Sequence, residues 1–249
     1  MIYVFVIIYS YSAFAIFLKL KTYRATKTFY TQIHNSSGDN RLLDKSAVIL
    51  AGGFSNRFGQ DKGLLLLAGK PLIKHVLNVL HGIVDETIIV VSSEVQAENF
   101  AKVTGSNVRI VIDADDMQSP LIGALTGFEN ANGEYSLLLP CDTPLVSRDI
   151  LLLLLELRTN KNAVIPRWPN GYIEPLQAVY RTKPAVEAAK KALNVGKSDM
   201  RSMVDELRGI RYISTLVLQQ LNPKLRTFFN VNTPLDLRRA EFMLRRMKK

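Results

Sequence analysis

At 249 residues the chain is long enough to bury one sizeable core. Its formal charge of +10 suggests a nucleic-acid binder until the charge is located: residues 1–46 carry six Lys/Arg against two Asp/Glu, residues 238–249 carry six against one, and the stretch between them is net +1. The surplus sits in two tails, so no nucleic-acid partner is expected, and the single cysteine, Cys141, excludes an internal disulfide and fits a reducing, cytoplasmic compartment.

Residues 1–18 contain no charged side chain. As a helix they would rise about 27 Å, just enough for a bilayer core, but Tyr3, Tyr9, Ser10, Tyr11 and Ser12 dilute the pattern. Three readings stand. The segment is an extension outside the fold, including one from a start codon placed too far upstream. It is a membrane anchor, and Lys19, Lys21, Arg24 and Lys27 then keep the rest of the chain on the cytoplasmic side. Or it is a signal peptide, for which Ala13-Phe14-Ala15 resembles a cleavage site but the basic n-region is missing. Residues 19–45 are polar and read as a linker, with Asn35-Ser36-Ser37-Gly38-Asp39-Asn40 at its heart. Residues 46–249 read as one domain.

From Ser46 a regular alternation begins. Strands are expected at 47–50, 87–91, 108–112 and 135–139, with helices at 72–83, 94–102 and 121–130 between them. A helix at 149–159 follows, with Ser147 as its cap. Further on, 163–166 and 176–180 read as strands, 183–193 and 200–207 as helices, 227–231 as a late strand and 234–247 as a terminal helix with Pro234 near its first position. Apolar strands alternating with helices predict an α/β fold, a Rossmann-like three-layer αβα sandwich around a mostly parallel sheet.

The first strand stops at Leu50-Ala51-Gly52-Gly53 and runs into a polar loop carrying Arg57, Asp61 and Lys62. Glycines let a ligand approach the backbone closely, and Arg57 and Lys62 supply charge for phosphate oxygens; the glycines alone would equally fit an ordinary turn after a strand, and Arg57, Asp61 and Lys62 weigh against that alternative. Commoner phosphate binders do not fit. Gly59-Gln60-Asp61-Lys62 breaks the Walker A spacing, Lys191 stands where Gly196-Lys197-Ser198 would need its first glycine, and adjacent Gly52 and Gly53 break the dinucleotide fingerprint.

In an open parallel sheet, ligands bind beyond the carboxyl ends of the strands. The residues there are Ala51-Gly52-Gly53, Ser92-Ser93, Asp113-Ala114-Asp115-Asp116, Pro140-Cys141-Asp142-Thr143-Pro144 and Asn232-Thr233-Pro234. Glycine, hydroxyl, carboxylate and amide groups fall on one edge. Asp142 is a candidate Mg²⁺ ligand, because Mg²⁺ takes few protein carboxylates and completes its shell with water and phosphates; the alternative is a turn residue capping the next helix. Asp113 suits a base or ribose, or a turn. Ser119-Pro120-Leu121-Ile122-Gly123 opens a helix whose free N–H groups suit an anion or a base, or it is simply a proline-led helix start. His34, His75 and His81 lack metal-ligand spacing, and Cys141 has no evident His partner. No acid/base constellation stands out. Nucleotidyl transfer needs none when the attacking group is an anionic phosphate, because positioning, cationic groups and a metal carry most of that catalysis.

These motifs resemble a known family. Leu50-Ala51-Gly52-Gly53, Ser55-x-Arg57-x-Gly59-x-Asp61-Lys62 and Gly69-Lys70-Pro71-Leu72 are similar to the signature of nucleotidyltransferases of the molybdenum cofactor guanylyltransferase (MobA) type. So are Asp113, the 119–123 segment, Pro140-Cys141-Asp142-Thr143-Pro144, Glu174-Pro175-Leu176-Gln177-Ala178-Val179-Tyr180 and Asn230-Val231-Asn232-Thr233-Pro234. The first motif is shared with many NTP transferases; the Pro-Cys-Asp-Thr-Pro and Asn-x-Asn-Thr-Pro motifs narrow it to the molybdenum cofactor branch.

The resemblance covers about 47–239 and implies transfer of GMP from GTP to molybdenum-molybdopterin with Mg²⁺ as cofactor. It implies that Leu50, Ala51, Gly52 and Gly53 contact the nucleotide, that Lys62 and Arg57 hold phosphates, and that Ser92 lies near a nucleotide-contacting position. It further implies that Asp113 recognises guanosine, that Asp142 binds Mg²⁺ and that Asn232 lines the metal and acceptor side. Ser119 replaces the family's usual glycine. Two rivals remain: an enzyme using CTP or another acceptor (sugar phosphate, cobinamide phosphate, phospholactate), and a membrane-tethered nucleotide-binding protein without activity, against which the Arg57, Lys62 and Asp142 set argues.

Overall fold

Seven extended runs form one sheet in the computed structural model, which describes residues 43–52, 54–55, 60–113 and 119–247. The strands are β1 (Lys45–Leu50), β2 (Glu86–Val91), β3 (Val108–Ile112), β4 (Tyr135–Pro140), β5 (Ala163–Arg167), β6 (Ala178–Arg181) and β7 (Ile210–Ser214). Their order across the sheet is β7-β5-β6-β4-β1-β2-β3. Every pairing is parallel except those of β6, which runs antiparallel to both neighbours.

The helices are α1 (Leu72–Leu80), α2 (Glu94–Val103), α3 (Pro120–Asn130), α4 (Arg148–Glu156), α5 (Thr182–Asn194), α6 (Met200–Glu206), α7 (Thr215–Leu218) and α8 (Pro234–Met247). They cover both faces of the sheet, as the α/β expectation requires. That is why the central strands are unbroken apolar runs: Ala47, Val48 and Ile49 of β1 and Leu137, Leu138 and Leu139 of β4 are wholly buried, whichever face they point to.

Against one face, Val48, Ile88 and Val90 of the sheet pack with Leu121, Ala124 and Phe128 of α3 and with the alanine ridge Ala185, Ala188, Ala189 and Ala192 of α5. Helix α3 lies very close to the sheet at Gly127, where a Cβ would fall 2.2 Å from Val48 Cγ1. A smaller cluster joins Leu65, Leu67 and Leu72 to Val231 and Ala240, with Leu237 and Leu244 packed against it. It ties α8 to the segment that follows Lys62.

The expected strand at 227–231 is a correction. Leu225 takes a left-handed φ of 45° and a 3₁₀ turn runs from Arg226 to Phe228. Its apolar pattern comes from packing, not pairing: Thr227 is buried with its hydroxyl accepting from Ser147 N–H, and Val231 N–H donates to the Asp142 carbonyl. Strand β7 was not anticipated, because Arg211 and the exposed Tyr212 interrupt its apolar pattern at the edge of the sheet. Helix α1 ends at Leu80 rather than at 83, where Gly82 turns the chain with φ 70°. Ser147 sits at the N-cap of α4 but makes no side-chain cap bond. Among the described residues no helix is long and apolar enough to cross a membrane; residues 1–18 lie outside them.

Candidate active site

Strands β1, β2, β3 and β4 run parallel, so the chain leaves all four on the same edge. Three of the exits, those of β1, β3 and β4, are held in register by one more backbone bond: Ala51 N–H to Val90 O at 2.8 Å, Asp113 N–H to Val91 O at 2.7 Å, and Cys141 N–H to Leu50 O at 3.0 Å. The residues just beyond line a cavity of about 360 Å³, to which Leu50, Ala51, Gly52, Ser92, Asp113 and Asp142 all contribute, together with Lys62. Every described residue expected to contact a nucleotide is therefore in one cavity. Gly53 and Arg57 lie outside the described residues.

Gly52 is needed by packing: a Cβ there would stand 2.5 Å from Ser92 Oγ. Helix α3 closes another wall. Its N-cap Ser119 accepts from Ile122 N–H at 3.2 Å, and Pro120 and Gly123 face the cavity. The Thr126 hydroxyl of the same helix donates to Asp113 Oδ1 at 3.5 Å, so the Asp113 carboxyl is steadied beside Gly123.

Lys62 opens a 3₁₀ turn, Lys62–Leu64. Its ammonium donates to Asn232 Oδ1 at 2.7 Å and lies 3.5 Å from Asp142 Oδ2. Three sequence-distant candidates thus converge. Burial pushes the Asp142 carboxyl above the usual range, and the Lys62 charge acts against that rise. Asp142 and Asn232 offer hard oxygen donors of the type Mg²⁺ takes. Among the described residues no group of three or more His, Cys, Asp or Glu is placed to hold a metal, so an ion here would rely on water and phosphate oxygens for the rest of its shell. Cys141 is buried, and its thiol is pushed far up by burial and by Asp142, which disqualifies it as a nucleophile. His75 bonds to the Leu67 carbonyl and His81 is exposed.

A second cavity, about 660 Å³, adjoins the first; Ser119, Pro120, Pro140, Asp142 and Leu176 border both. Its far walls bring Glu174, Arg201 and Phe228 together. Partial burial raises the Glu174 carboxyl, while the Trp168 indole N–H donates to it at 2.6 Å. In the sequence Glu174 lies within a motif that assigns it no role, and nothing marks Arg201. Nor does anything mark Gln96, which accepts from Ser92 N–H at 2.8 Å and donates to Asp61 Oδ1 at 2.6 Å. A glutamine in the first turn of a polar helix gives no sequence signal of such a task.

Residues 47–210 match the family model described as the MobA-like NTP transferase domain. The chain is 33% identical over 206 residues to the "Probable molybdenum cofactor guanylyltransferase" of Methanosarcina mazei, covering 81% of this chain and 92% of that protein. It is 29% identical over 198 residues to the "Molybdenum cofactor guanylyltransferase" of Desulfosudis oleivorans, covering 79% and 94%. Among solved structures it resembles molybdopterin-guanine dinucleotide biosynthesis protein A of Archaeoglobus fulgidus, with a TM-score of 0.69, 26% identity, and coverage of 81% and 100%. The 2-C-methyl-D-erythritol 4-phosphate cytidylyltransferase of Thermus thermophilus, at 19% identity and TM-score 0.60, shares the fold.

Proposed function

The chain belongs to the MobA-like NTP transferase family, and from that premise we propose that it transfers GMP from GTP to a molybdopterin-type molybdenum cofactor, releasing pyrophosphate. The names carried by its relatives support the guanylyl and molybdopterin assignment. The observation that carries the reading is that two cavities meet at Asp142. A transfer between two substrates needs two sites sharing one wall, with charge-bearing groups at the junction.

In this reading GTP occupies the smaller cavity. Asp113 accepts from the base or ribose, and the backbone from Leu50 to Gly52 lies along the nucleoside. Lys62, with Arg57, neutralises the phosphates, and Ser92 borders them. The acceptor occupies the larger cavity, its phosphate directed toward Asp142. An acceptor phosphate oxygen attacks the α-phosphorus, the bond from that phosphorus to the bridging oxygen breaks, and pyrophosphate leaves with the bond's electrons. The attacking oxygen is already anionic, so no general base is required. Mg²⁺, held by Asp142 with Asn232 alongside, would supply charge neutralisation at the triphosphate. The catalytic unit is residues 46–249, acting in the cytoplasm, as the single buried cysteine and the nucleotide substrate suit.

Pyrophosphate release with GTP, Mg²⁺ and purified acceptor tests this, with CTP in place of GTP as the control. Asp142→Ala should abolish turnover. Full activity in that variant removes Asp142 from the metal site, and turnover with CTP but not GTP overturns the guanylyl assignment.

A further inference from the structure

We infer that Gln96 is a positioning residue, which locks the Lys62 turn to the strand edge that borders the nucleotide; this rests on the nucleotide-transfer reading above. Gln96 is buried at 7% exposure in the first turn of α2, away from solvent that could satisfy its amide. Both ends of the amide are committed. The oxygen accepts Ser92 N–H at 2.8 Å and the nitrogen donates to Asp61 Oδ1 at 2.6 Å. Its own backbone N–H donates to the Ser93 hydroxyl that caps the helix, at 3.3 Å.

One partner lines the site and the other immediately precedes a residue that does. Ser92 lines the nucleotide cavity, and its Oγ is the group against which Gly52 packs. Asp61 is itself buried, ends the two-residue ribbon that pairs Phe54–Ser55 with Gln60–Asp61, and immediately precedes Lys62. One side chain therefore bridges the base of the Gly-rich loop, the end of β2 and the start of α2. Lys62 has to reach Asn232 and Asp142 from a turn only three residues long. A small rotation of that turn moves the ammonium by more than a hydrogen bond tolerates. The amide is also matched to this job by polarity: a backbone N–H faces its oxygen and a carboxylate faces its nitrogen. A carboxylate in its place would keep the Ser92 bond and repel Asp61.

The test uses the full chain and three variants, Gln96→Met, Gln96→Glu and the swap Asp61→Asn with Gln96→Glu. GTP binding is measured by calorimetric titration, and KM is measured separately for GTP and for the acceptor. Wild-type protein must bind GTP; failure there sinks the nucleotide reading itself and not the role of Gln96. Given wild-type binding, Gln96→Met and Gln96→Glu should weaken GTP by about tenfold or more, Gln96→Glu the more severely, with the acceptor KM unchanged. The swap restores a donor opposite a carboxylate and should recover most of the lost affinity. An equal loss of affinity for both substrates, or a swap no better than Gln96→Glu, would each show that Gln96 serves the fold only.

Discussion

Asn232 accepts a 2.7 Å hydrogen bond from the Lys62 ammonium, joining positions 170 residues apart in the chain. The same ammonium lies 3.5 Å from Asp142. Asn232 is neutral, so it holds the ammonium in reach of the carboxylate without cancelling its charge.

Removing these groups should therefore have graded effects. Lys62→Met should lower kcat/KM by roughly 10²–10³, the usual loss when a charge-stabilising donor is removed from a site of this kind. Asn232→Ala should cost about tenfold or more, because the lysine stays but loses its aim, and the Mg²⁺ site loses a neighbouring oxygen donor. Lys62→Met also removes the charge that restrains Asp142. A carboxyl raised by burial stabilises the folded chain at low pH and loses that contribution as pH rises through its folded value. Without Lys62 that value climbs further, so protons compete with Mg²⁺ at higher pH, and the acid limb of the rate profile should move toward neutrality. An acid limb that stays put in a pH–rate series would separate Asp142 from the metal.

Glu174 offers a test that divides the two cavities. It borders only the larger one and is partly buried against the Trp168 indole. Glu174→Ala should raise the KM for the acceptor by roughly 10- to 100-fold, since a lost hydrogen bond to a charged group is worth about 1.5–3 kcal/mol, and leave GTP binding unchanged. Steady-state kinetics with each substrate varied in turn reads both. Equal loss for the two substrates would mean that the cavities do not divide the nucleotide from its acceptor.

The residues legible in the sequence were those whose type announces a task at a strand end. Gly52, Asp113 and Asp142 lie within two residues of strand ends, and a parallel sheet brings strand ends together whatever lies between them. The fold was legible for the same reason: apolar runs at helix-length spacing have few other ways to bury both faces. What sequence could not give was pairing between distant segments. Asn232 and Lys62 each stood out, yet nothing in their spacing says that they touch, since that depends on how Val231 just before α8, and Leu237 and Ala240 within it, pack against Leu65 and Leu67. Gln96 was invisible because its partners are a backbone N–H and a carboxylate from another element. The 227–231 segment misled because burial by packing and burial by strand pairing leave the same apolar pattern.

Glu86, at the start of β2, supports the opposite end of the sheet. Despite the cost of burial, its carboxyl sits below its ordinary value of 4.5, through bonds from the Ser46 hydroxyl at 2.5 Å and from Asn132 N–H at 2.6 Å and Nδ2 at 3.0 Å. A depressed carboxyl contributes stability above its unfolded value and loses it as pH falls through the folded one. Glu86→Gln should thus destabilise the chain by about 1–2 kcal/mol at neutral pH, allowing for solvent screening at a partly exposed site. The gap between the two proteins in urea unfolding should narrow steadily below pH 4.5. A gap independent of pH would mean that the charge on Glu86 contributes nothing.

Gly63 sits one residue from Lys62, buried in the same turn. A Cβ there would lie 2.7 Å from Phe100 Cζ and 3.3 Å from Cys141 Sγ, and neither neighbour is a flexible chain end, since Phe100 is wholly buried. Gly63→Ala must therefore displace either the ring or the turn. Overpacking of this kind costs about 1–3 kcal/mol. If the turn yields, Lys62 moves with it and the GTP KM rises as well. Phe100→Leu opens space at the point of conflict and on its own costs about 1–2 kcal/mol as a cavity. The two changes share one volume, so the double variant should be less destabilised than the sum of the singles by about 1 kcal/mol, within the range for residues in contact. Urea unfolding of the four proteins gives the coupling, and GTP titration of the same set shows whether relief at Phe100 also restores the position of Lys62. Additive stabilities with unrestored binding would mean that the Phe100 ring does not set where the turn, and so the lysine, is held.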